Sequence, residues 1–244
     1  MDYGPSSLGA AFSLLLMLVL TMKWKLPKMP ALLGIAATTL AAAALFLCVY
    51  PLCGTGWGVA ACVLTQTATA LILALALMML RFWRDPDRVP PETEGAVLSA
   101  ADGEVLYVWT VDDGATPLVT KRGKDYLLTE LMGTSLVASA AHVIGVEMTF
   151  LDVHVSRCPI AGQVRLLKHI PGKFLSLRKE EALFANERHT TIIENAFLVL
   201  AVVQVASRLV RRVESYLSVD QAVGAGQRLG MIRFGSLVAV VLPK

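Results

Sequence analysis

Charge is scarce in this chain and unevenly spread. Of 244 residues, 17% are Asp, Glu, Lys or Arg against 55% hydrophobic, and before Arg81 the only charged side chains are Asp2, Lys23, Lys25 and Lys28. The remainder therefore holds 19 of the 22 basic and 18 of the 19 acidic residues. With a mean hydropathy of +0.61, this shortfall excludes an ordinary soluble protein, which carries about a quarter charged residues. Basic clusters with interleaved aromatics are also missing. The net charge is only +3 and the densest basic group is Arg208, Arg211 and Arg212, so no nucleic-acid partner is expected. The four cysteines, Cys48, Cys53, Cys62 and Cys158, show no CxxC spacing. They imply neither a metal site nor a disulfide framework.

What fills the front of the chain is apolar sequence. Pro30 to Leu52 and Trp57 to Leu80 run without a charge, and Leu8 to Met22 is apolar but shorter. A membrane span needs about 20 such residues, so the second and third stretches qualify and the first either spans or lies at the interface. Lys23, Lys25 and Lys28 flank one side, Arg81, Arg84 and Arg88 follow the third stretch, and the loop Pro51 to Gly56 has no basic residue. By the positive-inside bias, residues 1–80 form an anchor of two or three transmembrane helices in the inner membrane, with the back half on the cytoplasmic side. A cleaved signal peptide is not expected, because no basic start and no small-residue cleavage pattern precede Lys23. Residues 81–94, with Pro86 and Pro90 among mixed charges, read as an interfacial linker.

Residues 95–244 read as a mainly β, α+β domain. Gly95 to Val108 suggests two short strands about an Asp102-Gly103 turn. In Thr149 to Val164, alternation sets Phe150, Asp152, His154 and Ser156 on one face and Leu151, Val153, Val155 and Arg157 on the other. That places His154 on a polar face. Valine-rich alternation from Thr190 to Val213 suggests buried strands, since Glu194, Gln204 and Arg208 interrupt it. Ser218 to Leu229 looks like a hairpin of a lipoyl-type barrel.

Near the end of the chain, Gly235-Ser236 lies between two β-type runs, Gly230-Met231-Ile232-Arg233-Phe234 and Leu237-Val238-Ala239-Val240-Val241-Leu242-Pro243. Gly235 leaves its carbonyl unshielded by a β-carbon and tolerates unusual backbone angles, so the Ser236 hydroxyl can fold back onto the preceding peptide bond. The resulting ester can lose its carboxylate by β-elimination. The dehydroalanine left behind hydrolyses to a pyruvoyl group at residue 236, an electrophile that no side chain supplies. Gly-Ser also occurs in ordinary turns, so context must decide.

That context is a series of motifs in order. The run Gly226 to Ser236 closing on Val-Leu-Pro, the linker Arg81-Phe82-Trp83-Arg84-Asp85-Pro86-Asp87-Arg88, Ser99-Ala100-Ala101-Asp102-Gly103, Asp152-Val153-His154-Val155-Ser156-Arg157-Cys158-Pro159, His169-Ile170-Pro171-Gly172-Lys173-Phe174, Asn186-Glu187-Arg188 and Gln204-Val205-Ala206-Ser207 together resemble the short, pyruvoyl-dependent phosphatidylserine decarboxylases. The resemblance covers about Phe82 to Pro243. It implies a decarboxylase with a covalent pyruvoyl cofactor derived from Ser236, formed by cleavage after Gly235 into a large subunit Met1–Gly235 and a small subunit Ser236–Lys244. It further implies Ser236 as self-cleavage nucleophile and Schiff-base site, His154 as general base and acid, and Asp102 orienting His154. Arg157, Lys173, Phe174 and Asn186 are implied as substrate contacts, phosphatidylserine in the membrane as partner, and a homodimer as assembly. Longer relatives carry a second histidine where this chain has Arg157. Two other readings remain: an archaetidylserine-type substrate, and a membrane-anchored adaptor with a lipoyl-like barrel and no catalysis.

Overall fold

The structure, a computed structural model, describes residues 4–24, 28–49, 59–93, 95–112, 119–121, 124–135, 140–176, 181–207, 213–233 and 236–244. It divides into two compact units, Met1–Phe82 and Trp83–Lys244. In the first, the apolar stretches fold as α1 (Gly4–Trp24), α2 (Lys28–Val49) and α3 (Val59–Phe82). All three pack on one another. Gly9 admits Gln66 where a β-carbon would stand 2.6 Å from Gln66 Oε1, and the Ser13 hydroxyl donates to Gly9 O at 2.7 Å. Met17, Ile35, Ala42 and Ala70 form the small core. Large apolar side chains such as Leu15, Leu33, Leu40, Leu64, Ile72 and Leu80 face outward. Helices apolar on all sides need an apolar surrounding. Val63–Phe82 is long and apolar enough to cross a membrane, while the described apolar stretches Ser7–Met22 and Leu32–Cys48 are shorter.

Among the described residues, the second unit is mainly β with two short helices. Its elements are β1 (Glu104–Val111), β2 (Val119–Lys121), β3 (Lys124–Tyr126), α4 (Leu128–Met132), β4 (Ala141–Met148), β5 (Val155–Arg157), β6 (Gly162–Ile170), α5 (Ala182–Ala185), β7 (Arg188–Glu194), β8 (Val199–Val205), β9 (Val213–Ser215), β10 (Ala222–Val223), β11 (Arg228–Ile232) and β12 (Ser236–Pro243). Among the described residues, a seven-stranded sheet has the order β1-β4-β12-β8-β7-β6-β10, β5-β11-β9 form a second sheet, and β2-β3 a ribbon. The central strands of the seven-stranded sheet, β7, β8 and β12, are buried on both faces, while β1 and β6 are largely open to solvent. Leu237, Ala239 and Val241 of β12 pack with Leu128, Leu131 and Met132 of α4, whereas Val238 and Val240 pack with Cys158, Leu229 and Ile232. Double burial explains why β8 and β12 read as valine-rich runs and why β7 carries the β-branched run Thr190 to Ile193. The last strand of the chain thus lies inside the sheet, held by β4 on one side and β8 on the other.

Two expectations need correction. Residues 95–99 form no strand; Leu98 instead donates its N–H to Pro159 O at 2.9 Å, so the turn at Asp102-Gly103 enters β1 without closing a hairpin. β10 pairs with β6 and β11 with β5 and β9; the stretch from Ser218 to Leu229 is therefore not a lipoyl-type hairpin. The polar face on which alternation places His154 is not at the surface. His154 is fully buried, as are Val153, Val155 and Ser156, because the second sheet packs this segment into the interior.

Candidate active site

Three segments converge at one end of β4. Glu147 is opposed by Glu104 on one side and by Leu237 on the other, and Ser236 is in register with Met148. The Asp102-Gly103 turn and Ser236 are thereby one strand away on either side of β4, about 10 Å apart across it. Gly103 has φ +139°, and a β-carbon there would stand 2.1 Å from Glu147 O. Only glycine permits so close an approach. The third segment carries His154: Arg157 donates its N–H to Ala100 O at 2.8 Å, and Ile232 donates its N–H to His154 O at 3.2 Å. The peptide between residues 235 and 236 is thus bracketed, upstream by Ile232 on His154 and downstream by Ser236 beside Met148. Gly235 and the side chain of Ser236 lie outside the described residues.

The turn before His154 is built by Asp152, whose Oδ2 accepts from the Thr149 N–H at 2.7 Å and the Thr149 hydroxyl at 2.8 Å. With the Asp152 N–H donating to Thr149 O at 3.1 Å, this side chain closes the turn and sets the Asp152 carbonyl 2.9 Å from His154 Nδ1. With Nδ1–H donating to that carbonyl, Nε2 is the basic nitrogen. Burial pushes the His154 pKa below the usual imidazole range, opposed by the hydrogen bond to Asp152. The ring is therefore neutral at pH 7 and able to accept a proton.

The predicted orienter of His154 is placed differently. Both carboxylate oxygens of Asp102 accept from Arg88, at 2.5 Å each, while the Nδ1 position of His154 is taken by Asp152 O. Asp102 stands at the same end of the sheet, but in this structure the imidazole is oriented by a backbone carbonyl. Asn186, expected as a substrate contact, is engaged with backbone groups. It is fully buried, its Oδ1 accepts from Leu175 N–H at 2.8 Å, and its Nδ2 donates to Leu175 O and Ala206 O at 2.9 Å each. Both donors are spent on backbone, so it clamps two segments together. Ala206 follows Val205, the register partner of Leu237, so this clamp steadies the strand end beside Ser236.

Arg157 donates to Gly226 O at 3.0 Å, Asp85 Oδ1 at 2.9 Å and Pro86 O at 2.7 Å. It lines an open cleft with Asp87, Arg88, Tyr216 and Arg228. Lys173 lines a separate cleft with Tyr126, Lys168 and Phe184, while Phe174 is half-buried. The sequence reading missed Arg88 and Asp152 as site-builders; the charged linker and the Thr-x-x-Asp spacing were the available signals. It also missed the buried pair in which Gln204 Nε2 donates to Ser156 Oγ at 3.1 Å, two positions along from His154.

The sequence profile of phosphatidylserine decarboxylase matches residues 75–244. The chain belongs to this family. It is 37% identical over 172 residues, 70% of this chain and 82% of the other, to a protein of Methanocaldococcus jannaschii whose name assigns it provisionally as an archaetidylserine decarboxylase proenzyme. Phosphatidylserine decarboxylase proenzymes of Geotalea uraniireducens and Pelobacter propionicus are 35% and 37% identical over 180 and 176 residues, covering 73% and 72% of this chain and 75% and 70% of theirs. The matched region takes in the whole β unit, Ser236 included, and the relatives' names mark them as precursors.

Proposed function

We propose that this chain is a precursor that cleaves itself between Gly235 and Ser236 and then decarboxylates phosphatidylserine to phosphatidylethanolamine. One observation carries the reading: the backbone carbonyl of His154, whose imidazole is buried, accepts the Ile232 N–H, a few residues upstream of the bond to be broken. His154 Nε2 accepts the proton of the Ser236 hydroxyl as that oxygen attacks the Gly235 carbonyl. The carbon–nitrogen bond gives way to an ester. Elimination then frees the Gly235 carboxylate, and water displaces ammonia, leaving the ketone at residue 236. One water is consumed and one ammonia released overall.

The surroundings suit a group made in place. The segment it caps, β12, is paired along both edges, so the small chain stays in the sheet after cleavage. The pyruvoyl ketone supplies an electrophile for the substrate amine and a sink for the electrons of the breaking carbon–carboxylate bond. The chain's own residues do the rest. His154 Nε2 returns a proton to the α-carbon as carbon dioxide leaves.

Membrane association belongs to the same reading. Outward-facing apolar side chains on α1 to α3 support an anchor, and the basic residues at 23, 25, 28, 81, 84 and 88 support a cytoplasmic catalytic unit. A second substrate, archaetidylserine, follows from the Methanocaldococcus relative, because the headgroup chemistry is shared. Release of carbon dioxide from carboxyl-labelled serine lipids in detergent micelles tests the proposal. The wild-type chain is expected to turn over and Ser236→Ala to release none; turnover by Ser236→Ala would refute the assignment.

A further inference from the structure

The segment that follows α3 is strapped across the β unit by its charges. Arg157 holds Asp85 Oδ1 at 2.9 Å and Pro86 O at 2.7 Å. Arg228 holds Asp85 through Nε and Asp87 through Nη2 at 2.9 Å. Gly226, at φ +75°, brings its Cα so close to Pro90 that a β-carbon would stand 2.8 Å from Pro90 Cγ. The strap then touches each of the three converging segments. Arg84 donates to Leu151 O at 3.1 Å, in the turn leading to His154. The Arg233 guanidinium, two residues before Gly235, lies 5.6 Å from the Trp83 ring centroid. Arg88 grips both oxygens of Asp102.

We propose that Arg88 is a positioning residue for self-cleavage, fixing the Asp102 carboxylate at the end of β4 where the bond between residues 235 and 236 is processed. Asp102 needs such a partner. It sits in an irregular run, Ala100 to Gly103, is partly exposed, and has no other side-chain partner among the described residues. A planar guanidinium fork fixes both oxygens at once, which an ammonium point charge cannot do. Arg88 is itself fixed, because the strap is pinned at Asp85, Pro86 and Asp87 before it and at Pro90 after it. The consequence is a coupling: maturation proceeds at full rate only when the linker is docked. The inference rests on the proposed processing at Ser236.

The test follows appearance of the small chain over time by mass spectrometry, after synthesis of the full-length chain in a membrane-supplemented cell-free system. Arg88→Ala is expected to cleave about tenfold more slowly than wild type, the loss of one charge-assisted bidentate contact. Arg88→Lys should recover part of the rate. Low-millimolar guanidinium, below denaturing levels, should speed Arg88→Ala and not wild type, because the vacated place is open to solvent. Arg165→Ala, which breaks the exposed pair with Glu194, should cleave at the wild-type rate. Arg88→Ala cleaving at the wild-type rate, or slowed without guanidinium rescue, would overturn the proposal, the second outcome assigning Arg88 to folding alone. Absence of cleavage in wild type would instead overturn the reading beneath it.

Discussion

His154 shows how a single residue draws its chemistry from its surroundings. Alternation places His154 on a polar strand face; in the fold it is enclosed, and a carbonyl two residues back selects its tautomer. Burial depresses the pKa of His154 and also of His189, the latter with a further push from nearby His169. An unfolded chain protonates both at an ordinary value of about 6.5, so in acid the unfolded state binds more protons than the folded one. Stability contributed by these two residues is complete above that value and falls as pH drops below it. The melting temperature is expected to be level from pH 7 to 8 and to decline steadily below about 6.5, with a shallower decline in His189→Asn. A melting temperature rising on acidification would contradict burial of neutral imidazoles. Cys158, also fully buried, is pushed up to about 12 and belongs to the core rather than to the chemistry.

At the level of elements, β4 arranges the site. It holds the Asp102-Gly103 turn on one edge and Ser236 on the other, and Gly103 sets how closely the turn can approach. Gly103→Ala places a β-carbon against Glu147 O and forces a residue with a side chain into φ +139°. A loss of about 1–3 kcal/mol in stability is expected from such strain, with slower self-cleavage. Gly224→Ala, whose β-carbon meets nothing within 4 Å, should unfold like wild type in urea. Equal midpoints for the two variants would show that the approach at Gly103 is unimportant. Strands β8 and β12 were legible in the sequence because burial on both faces leaves a valine-rich signature, and β7 through its β-branched Thr-Thr-Ile-Ile run. Pairing partners were not: nothing local in Ser218 to Leu229 says that β10 joins β6 while β11 joins β5. Of the site, residue types were legible and contacts were not. The Asp152 carbonyl has no side-chain signature, and Arg88 reaches Asp102 across fourteen residues of chain.

For the whole molecule, the contrast between the first 80 residues and the rest that charge alone announced becomes two compact units meeting at Phe82 and Trp83 in sequence. The front keeps large apolar side chains on its outside; the back encloses its own in two core clusters. The small chain formed by processing would stay embedded between β4 and β8, so the mature protein holds together without a covalent link. The most direct test is the intact mass of the purified protein under denaturing conditions. Two chains are expected, the smaller equal to residues 236–244 less one ammonia, as a pyruvoyl start requires. A single full-length chain, or a small chain of unaltered serine mass, would contradict the account.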